Sequence, residues 1–181
     1  MWLSHFLTIP GESFCGHEGT EYAGSAEEFW DNAEQCCKQT GAEIYGNSDS
    51  ASIFVLPALL AARPLTRVVW IERPIVEVAK SMKAIGMPFD EKALRNLMYL
   101  RSKYAEHMDM VVGFDQLQSG LVCKQVWEFC LPGLPFDWGR WQKFNDQKIG
   151  YSKEHPMPPK NFQKFLAWVK RELDEKERSK I

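Results

Sequence analysis

The side chains best equipped for chemistry in this chain are Arg73 and the pair His17-Glu18. A guanidinium presents a planar fork of donors that fits an oxyanion and keeps its charge throughout the range in which proteins fold. Pro74 follows Arg73, and Ser81 lies eight residues after it, about two turns into a following helix on the edge of its polar side. Imidazole is the one side chain whose ordinary pKa lies near neutrality, so His17 beside Glu18 is the clearest acid/base pair. Both constellations have a plainer alternative. Arg73 pairs with Glu72 or Glu77 while Ser81 is helix surface, or His17-Glu18 is a polar loop between helices.

The elements that position Arg73 can be read around it. Residues 66–72 form a short, nearly unbroken apolar run rich in β-branched and aromatic side chains, including Val68, Val69, Trp70 and Ile71. A parallel strand buried on both faces reads this way. Pro74 suits the first position of a helix, where its missing N–H costs nothing. Ile75, Val78 and Ala79 then recur at helical spacing. A strand, a cation at its carboxyl end and a helix N-terminus facing the same way make the place where open α/β sheets hold anionic ligands.

Elsewhere, residues 2–7 predict a helix that Pro10-Gly11 ends. Ser25-Ala26-Glu27-Glu28 is a capping box, and Ala26, Phe29, Trp30, Ala33 and Cys37 give the helix behind it one apolar face as far as Gly41. Residues 53–62 predict a helix that Pro57 either starts or kinks. A longer helix places Leu94, Leu97, Met98, Arg101 and Tyr104 at core spacing, and Ser119 introduces another through Val122, Val126, Trp127 and Phe129. Residues 134–151 read as aromatic and irregular, with Trp138, Arg140 and Trp141 either stacking an adenine or filling the space under a loop. The last amphipathic helix carries Phe165, Leu166, Val169 and Leu173 on its apolar side.

Strands near 13–17, 42–46, 67–72 and 109–114 alternate with these helices. That alternation predicts a single α/β domain over residues 1–181, with a mainly parallel sheet. Right-handed crossovers bring the loops after Gly46, Glu72 and Phe114 to one edge, so Asp49, Arg73, Ser81 and Asp115 are expected to face one crevice.

Bulk composition narrows the function classes. With 181 residues, 45% hydrophobic and 25% charged, the chain has the make-up of an ordinary globular protein. A net charge of −2 carries no basic surplus, which argues against nucleic acid as a partner. No apolar run reaches the roughly 20 residues that cross a bilayer, and no charged-then-apolar leader opens the chain. That argues against a membrane partner, and five cysteines with neither metal-ligand nor disulfide spacing predict reduced thiols, no metal site and a cytoplasmic setting.

Strand, Arg73, Pro74, helix and Ser81 in this order resemble the 3′-phosphate-binding segment of sulfotransferases. Those enzymes have a P-loop fold, three layers deep (α/β/α), and move a sulfuryl group from 3′-phosphoadenosine 5′-phosphosulfate (PAPS) to an acceptor. The resemblance implies that Arg73 and Ser81 hold the 3′-phosphate of PAPS or of its product 3′,5′-adenosine bisphosphate (PAP). It also implies a small-molecule or carbohydrate acceptor with a hydroxyl or amine. Phe114-Asp115-Gln116-Leu117 is similar to the family's strand that ends in an acidic residue. In members acting on small acceptors in the cytosol, the strand corresponding to residues 42–46 ends in a Lys and a catalytic His. Here that turn reads Asn47-Ser48-Asp49-Ser50. Asp49 then stands as a base in place of that His, beside His17 and Glu18, or else Ser48 or Asp49 merely caps the next helix.

In the family a central strand and a Gly/Ser/Thr-rich loop, which wraps the 5′-phosphosulfate, lead into a helix with a Thr-Trp-Leu-like start. This chain opens on the Trp2-Leu3 of that pattern, so the resemblance implies an N-terminally truncated version of the fold. Losing a central strand leaves buried backbone groups unpaired at about 1–3 kcal/mol each, against a net stability of about 5–15 kcal/mol. Three arrangements avoid that cost: the coding sequence starts upstream, the neighbouring strands close the gap, or a second copy supplies the strand in a homodimer. In the last two, sulfuryl transfer is expected to be weak or lost. A non-catalytic nucleotide-binding or protein-interaction module on the same fold is the alternative. A nucleotide-kinase relative accounts less well for Arg73 and Ser81.

Overall fold

The computed structural model describes residues 2–17, 19, 23–84, 91–146 and 159–178. Within them the chain is mixed α/β, with eight helices and four strands. The strands pair in parallel, but as two separate two-stranded sheets where the sequence predicts one mainly parallel sheet. Alternating strands and helices favour parallel neighbours; which strands become neighbours is decided by long-range packing that no local pattern encodes. The chain divides into two compact units, Met1–Thr66 with Glu154–Ile181, and Arg67–Lys153. Each is built on one strand pair.

In the first unit, α1 (Trp2–Leu7) precedes β1 (Ser13–His17), and α2 (Ala26–Thr40) crosses over to β2 (Ile44–Ser48), which is followed by α3 (Leu56–Ala62). The capping box forms at the start of α2. Ser25 Oγ accepts the Glu28 N–H at 3.1 Å, while the Glu28 carboxylate reaches one residue further back, to the Gly24 N–H at 2.8 Å. Gly41 ends α2 with a φ of 71°, a left-handed conformation that glycine adopts without steric cost. Helix α3 begins later than predicted, because Ala51–Phe54 form a 3-10 turn and Pro57 falls in the first turn of the α-helix. Ala26, Phe29, Val55 and Leu59 meet Phe165 and Trp168 of the C-terminal helix (Pro159–Arg178) in one buried cluster. Trp168 is 1% exposed, whereas Leu166, assigned to the apolar side from sequence, is 43% exposed. The buried stripe is thus rotated toward the indole, whose N–H is satisfied by Glu172 Oε1 at 3.1 Å.

In the second unit, β3 (Val69–Glu72) runs into α4 (Ile75–Ala84); α5 (Glu91–Lys103), β4 (Met110–Gly113), α6 (Gly120–Cys130) and α7 (Trp138–Asp146) follow. β3 and β4 lie parallel, with Val69 opposite Met110 and Glu72 opposite Gly113. Pro74 stands just before α4, one residue ahead of the first helical position predicted for it, and its carbonyl accepts the N–H groups of Glu77 at 2.9 Å and Val78 at 3.1 Å. Trp70 and Ile71 are only partly covered, and Val111 is exposed beside buried Val112, so these strands are not buried on both faces. In a two-stranded sheet each strand has a strand neighbour on one side only, and less of each face is covered than in the middle of a wide sheet. Leu100, Tyr104, Cys123, Val126 and Trp127 complete the buried side of this unit. Helix α7 occupies part of the segment predicted to be irregular. Asp137 explains its start, since its Oδ1 accepts the Arg140 N–H at 2.8 Å as an N-cap does.

Candidate functional site

The carboxyl end of β3 places Arg73. The Glu72 carbonyl accepts the Phe114 N–H at 2.7 Å, so the chain leaving β3 and the chain leaving β4 emerge side by side. The guanidinium carbon of Arg73 then lies 4.6 Å from the centroid of the Phe114 ring. Its Nε stands 3.6 Å from Glu77 Oε2, an ion pair beyond hydrogen-bond reach. That Nε is buried and has no hydrogen-bond partner among the described residues. Ser81 lies further along α4 and is partly buried.

Of the two carboxylates that could occupy Arg73, only Glu77 does so. Glu72 is taken instead by Arg101 of α5, with Nη2 at 2.5 Å from Oε1. The sequence signal for Arg101 was a cation at core spacing on an otherwise apolar helix face, and its Nε is likewise buried without a hydrogen-bond partner among the described residues. Asp115 is exposed and folds back over Gly113, whose N–H is held by Gln116 Oε1 at 2.9 Å.

A second polar cluster sits at the carboxyl ends of β1 and β2, in the other unit. The parallel register sets His17 opposite Ser48, and His17 Nδ1 lies 2.9 Å from the Ser48 carbonyl oxygen. A carbonyl can only accept, so Nδ1 carries the hydrogen and the lone pair of the neutral ring is on Nε2. Asn47 Oδ1 accepts the Gly19 N–H at 2.9 Å, and its Nδ2 is 3.4 Å from both Asp49 Oδ2 and Ser52 Oγ. Asp49 Oδ1 accepts the Ala51 N–H at 2.6 Å, a local turn just ahead of the 3-10 turn, whose N-cap position is Ser50 rather than the expected Ser48 or Asp49. Glu18 lies outside the described residues. Asp49 belongs to the first unit; Arg73, Ser81 and Asp115 belong to the second.

No family model, no curated protein and no solved structure matches the chain.

Burial holds three of the thiols and one phenol in their protonated forms. All five cysteines are free thiols. Burial pushes Cys123 up to about 12, and pushes Cys130 up to about 11 although the Arg67 charge opposes it. Burial raises Cys37 as well, and it raises Tyr45 far enough to keep the phenol protonated. Among the described residues no group of three or more His, Cys, Asp or Glu side chains is placed to hold a metal ion, and no helix is long and apolar enough to cross a membrane. The aromatic segment of the second unit packs on itself: Phe136 meets Trp127 and Trp138 edge to face, at centroid distances of 5.7 Å and 4.8 Å. Trp138 stands against Gly120 at the start of α6.

Proposed function

We propose that the chain is a sulfotransferase-like protein of the three-layer P-loop type that binds the 3′-phosphate end of PAPS or PAP through Arg73 and Ser81. One observation carries this: Arg73, at the carboxyl end of a parallel strand and the start of a helix, rests on the Phe114 ring with a buried Nε that makes no hydrogen bond among the described residues. A permanently charged donor fork in that place suits a phosphate ester. The fold assignment is supported by both strand pairs being parallel, each with helix between its members. The five free thiols favour a reducing, cytoplasmic setting.

In sulfuryl transfer the acceptor hydroxyl or amine attacks sulfur in line, its proton passes to a base, and the S–O bond to the 5′-phosphate breaks to leave PAP. Cations offset the charge that spreads over the sulfuryl oxygens. Within the first unit, His17 suits a proton-accepting role better than Asp49, because its Nδ1–H is fixed on the Ser48 carbonyl and its basic lone pair is on Nε2. Both Asp49 oxygens already serve the turn, through the Ala51 N–H and the Asn47 amide. That commitment favours, as a second possibility, a nucleotide-binding module without transfer.

Calorimetric titration of the full chain with PAP tests the binding half. Saturable binding that weakens in Arg73→Ala and Ser81→Ala supports it; no binding to the unaltered chain removes it. Sulfate transfer from PAPS to phenol or amine acceptors, compared between the unaltered chain and His17→Ala, separates an enzyme from a module.

A further inference from the structure

Building on the nucleotide-binding role of Arg73, we propose that Glu77 is the resident counter-ion of that arginine, and that a phosphate ester engages Arg73 by displacing it. Phe114 covers one face of the guanidinium, 4.6 Å from ring centroid to Cζ. The in-plane N–H groups are then the way an anion engages this side chain. Glu77 stands against one of them: Oε2 is 3.6 Å from Nε, one helical turn along α4. At that separation the carboxylate attracts the charge without satisfying the donor, and the Nε–H remains unbonded among the described residues. Glu72, the other acidic neighbour in sequence, cannot substitute because Arg101 holds it.

The pair is built to be exchanged. Its side chains are 33% and 53% exposed, so water screens the attraction and little is lost when it opens. A phosphate ester brings more charge and short, directed hydrogen bonds to the same donors. Binding is therefore substitution of one anion for another, and Glu77 sets the affinity by competing.

The test is calorimetric titration of the full chain with PAP and, separately, with pyrophosphate. It compares the unaltered protein with Glu77→Gln, Arg73→Ala, the double variant, and Glu91→Gln as a charge control on another helix. Glu77→Gln is expected to bind about two- to fivefold tighter, the range that an exposed ion pair supplies. Glu91→Gln should bind as the unaltered chain does, and the gain should vanish in the Arg73→Ala background. A gain that survives without Arg73, a gain matched by Glu91→Gln, or no gain at all overturns the exchange. Tighter pyrophosphate binding by Glu77→Gln with no PAP binding would uphold the exchange and remove the nucleotide assignment. Failure of both ligands to bind removes both.

Discussion

His17 and Ser48 face one another across the carboxyl ends of β1 and β2, with the imidazole Nδ1 2.9 Å from the Ser48 carbonyl oxygen. The register of the strand pair thereby sets an acceptor against Nδ1 and favours the tautomer with its hydrogen there. Nitrogen-15 spectra of the histidine rings should show neutral His17 predominantly protonated on Nδ1. A spectrum dominated by the Nε2–H form would refute the assignment of the lone pair.

The C-terminal helix, docked through Phe165 and Trp168, also carries one contact that titrates. Lys164 beside Glu28, at 3.0 Å, and then the Gly24 N–H hold the Glu28 carboxyl below its ordinary value of 4.5. A carboxylate depressed in the folded state adds stability that is fully present above its unfolded pKa and is lost as pH falls through the folded value. The melting temperature should therefore drop as pH is lowered below about 4.5, and Glu28→Gln should flatten that acid limb. Parallel acid limbs in the two proteins would show that Glu28 contributes nothing.

Trp168 and Leu166 make a sharper test of the same helix. Trp168, buried in the core of the first unit, should lose about 3–5 kcal/mol of stability on replacement by Ala. Leu166→Ala, at an exposed position, should stay within about 0.5 kcal/mol of the unaltered chain. Urea denaturation measures both; equal losses would mean that the helix presents the other stripe.

That rotation marks what the chain disclosed before its fold was in view. Strand 13–17 falls where Ser13–His17 lies, and the strands near 67–72 and 109–114 fall within two residues of Val69–Glu72 and Met110–Gly113. Those runs are short, apolar and bounded by turns, so local pattern suffices. The second strand lies two residues later than predicted, at Ile44–Ser48, because its polar end, Asn47-Ser48, pairs with Gly16 and His17 rather than ending the strand. Helix α7 was concealed by its aromatics, and Asp137 was the cap signal that would have revealed it. Arg101 on Glu72 and the split into two strand pairs depend on contacts far apart in sequence, which periodicity does not carry. For the site, the Arg73-Pro74 junction was legible as a strand end meeting a helix start. The Phe114 platform under Arg73 was not, because it depends on the β3–β4 register.

Thiol labelling separates the cysteines by burial. With Cys123 at about 12 and Cys130 at about 11, both should resist iodoacetamide at pH 8 until the protein unfolds, since the thiolate is the reactive form. Mass spectrometry of native and urea-treated samples reads this directly. Rapid native labelling of Cys123 would contradict its burial.

The central claim is that the guanidinium of Arg73 receives the 3′-phosphate of an adenosine nucleotide. Phosphorus NMR of PAP tests it directly, because the 3′- and 5′-phosphates resonate separately. Titration with the full chain should shift or broaden the 3′-phosphate signal, and Arg73→Ala should weaken that effect by about tenfold or more, as loss of a charged hydrogen-bonding partner does. An unperturbed 3′-phosphate signal, or one that responds equally to the Arg73→Ala protein, would contradict it.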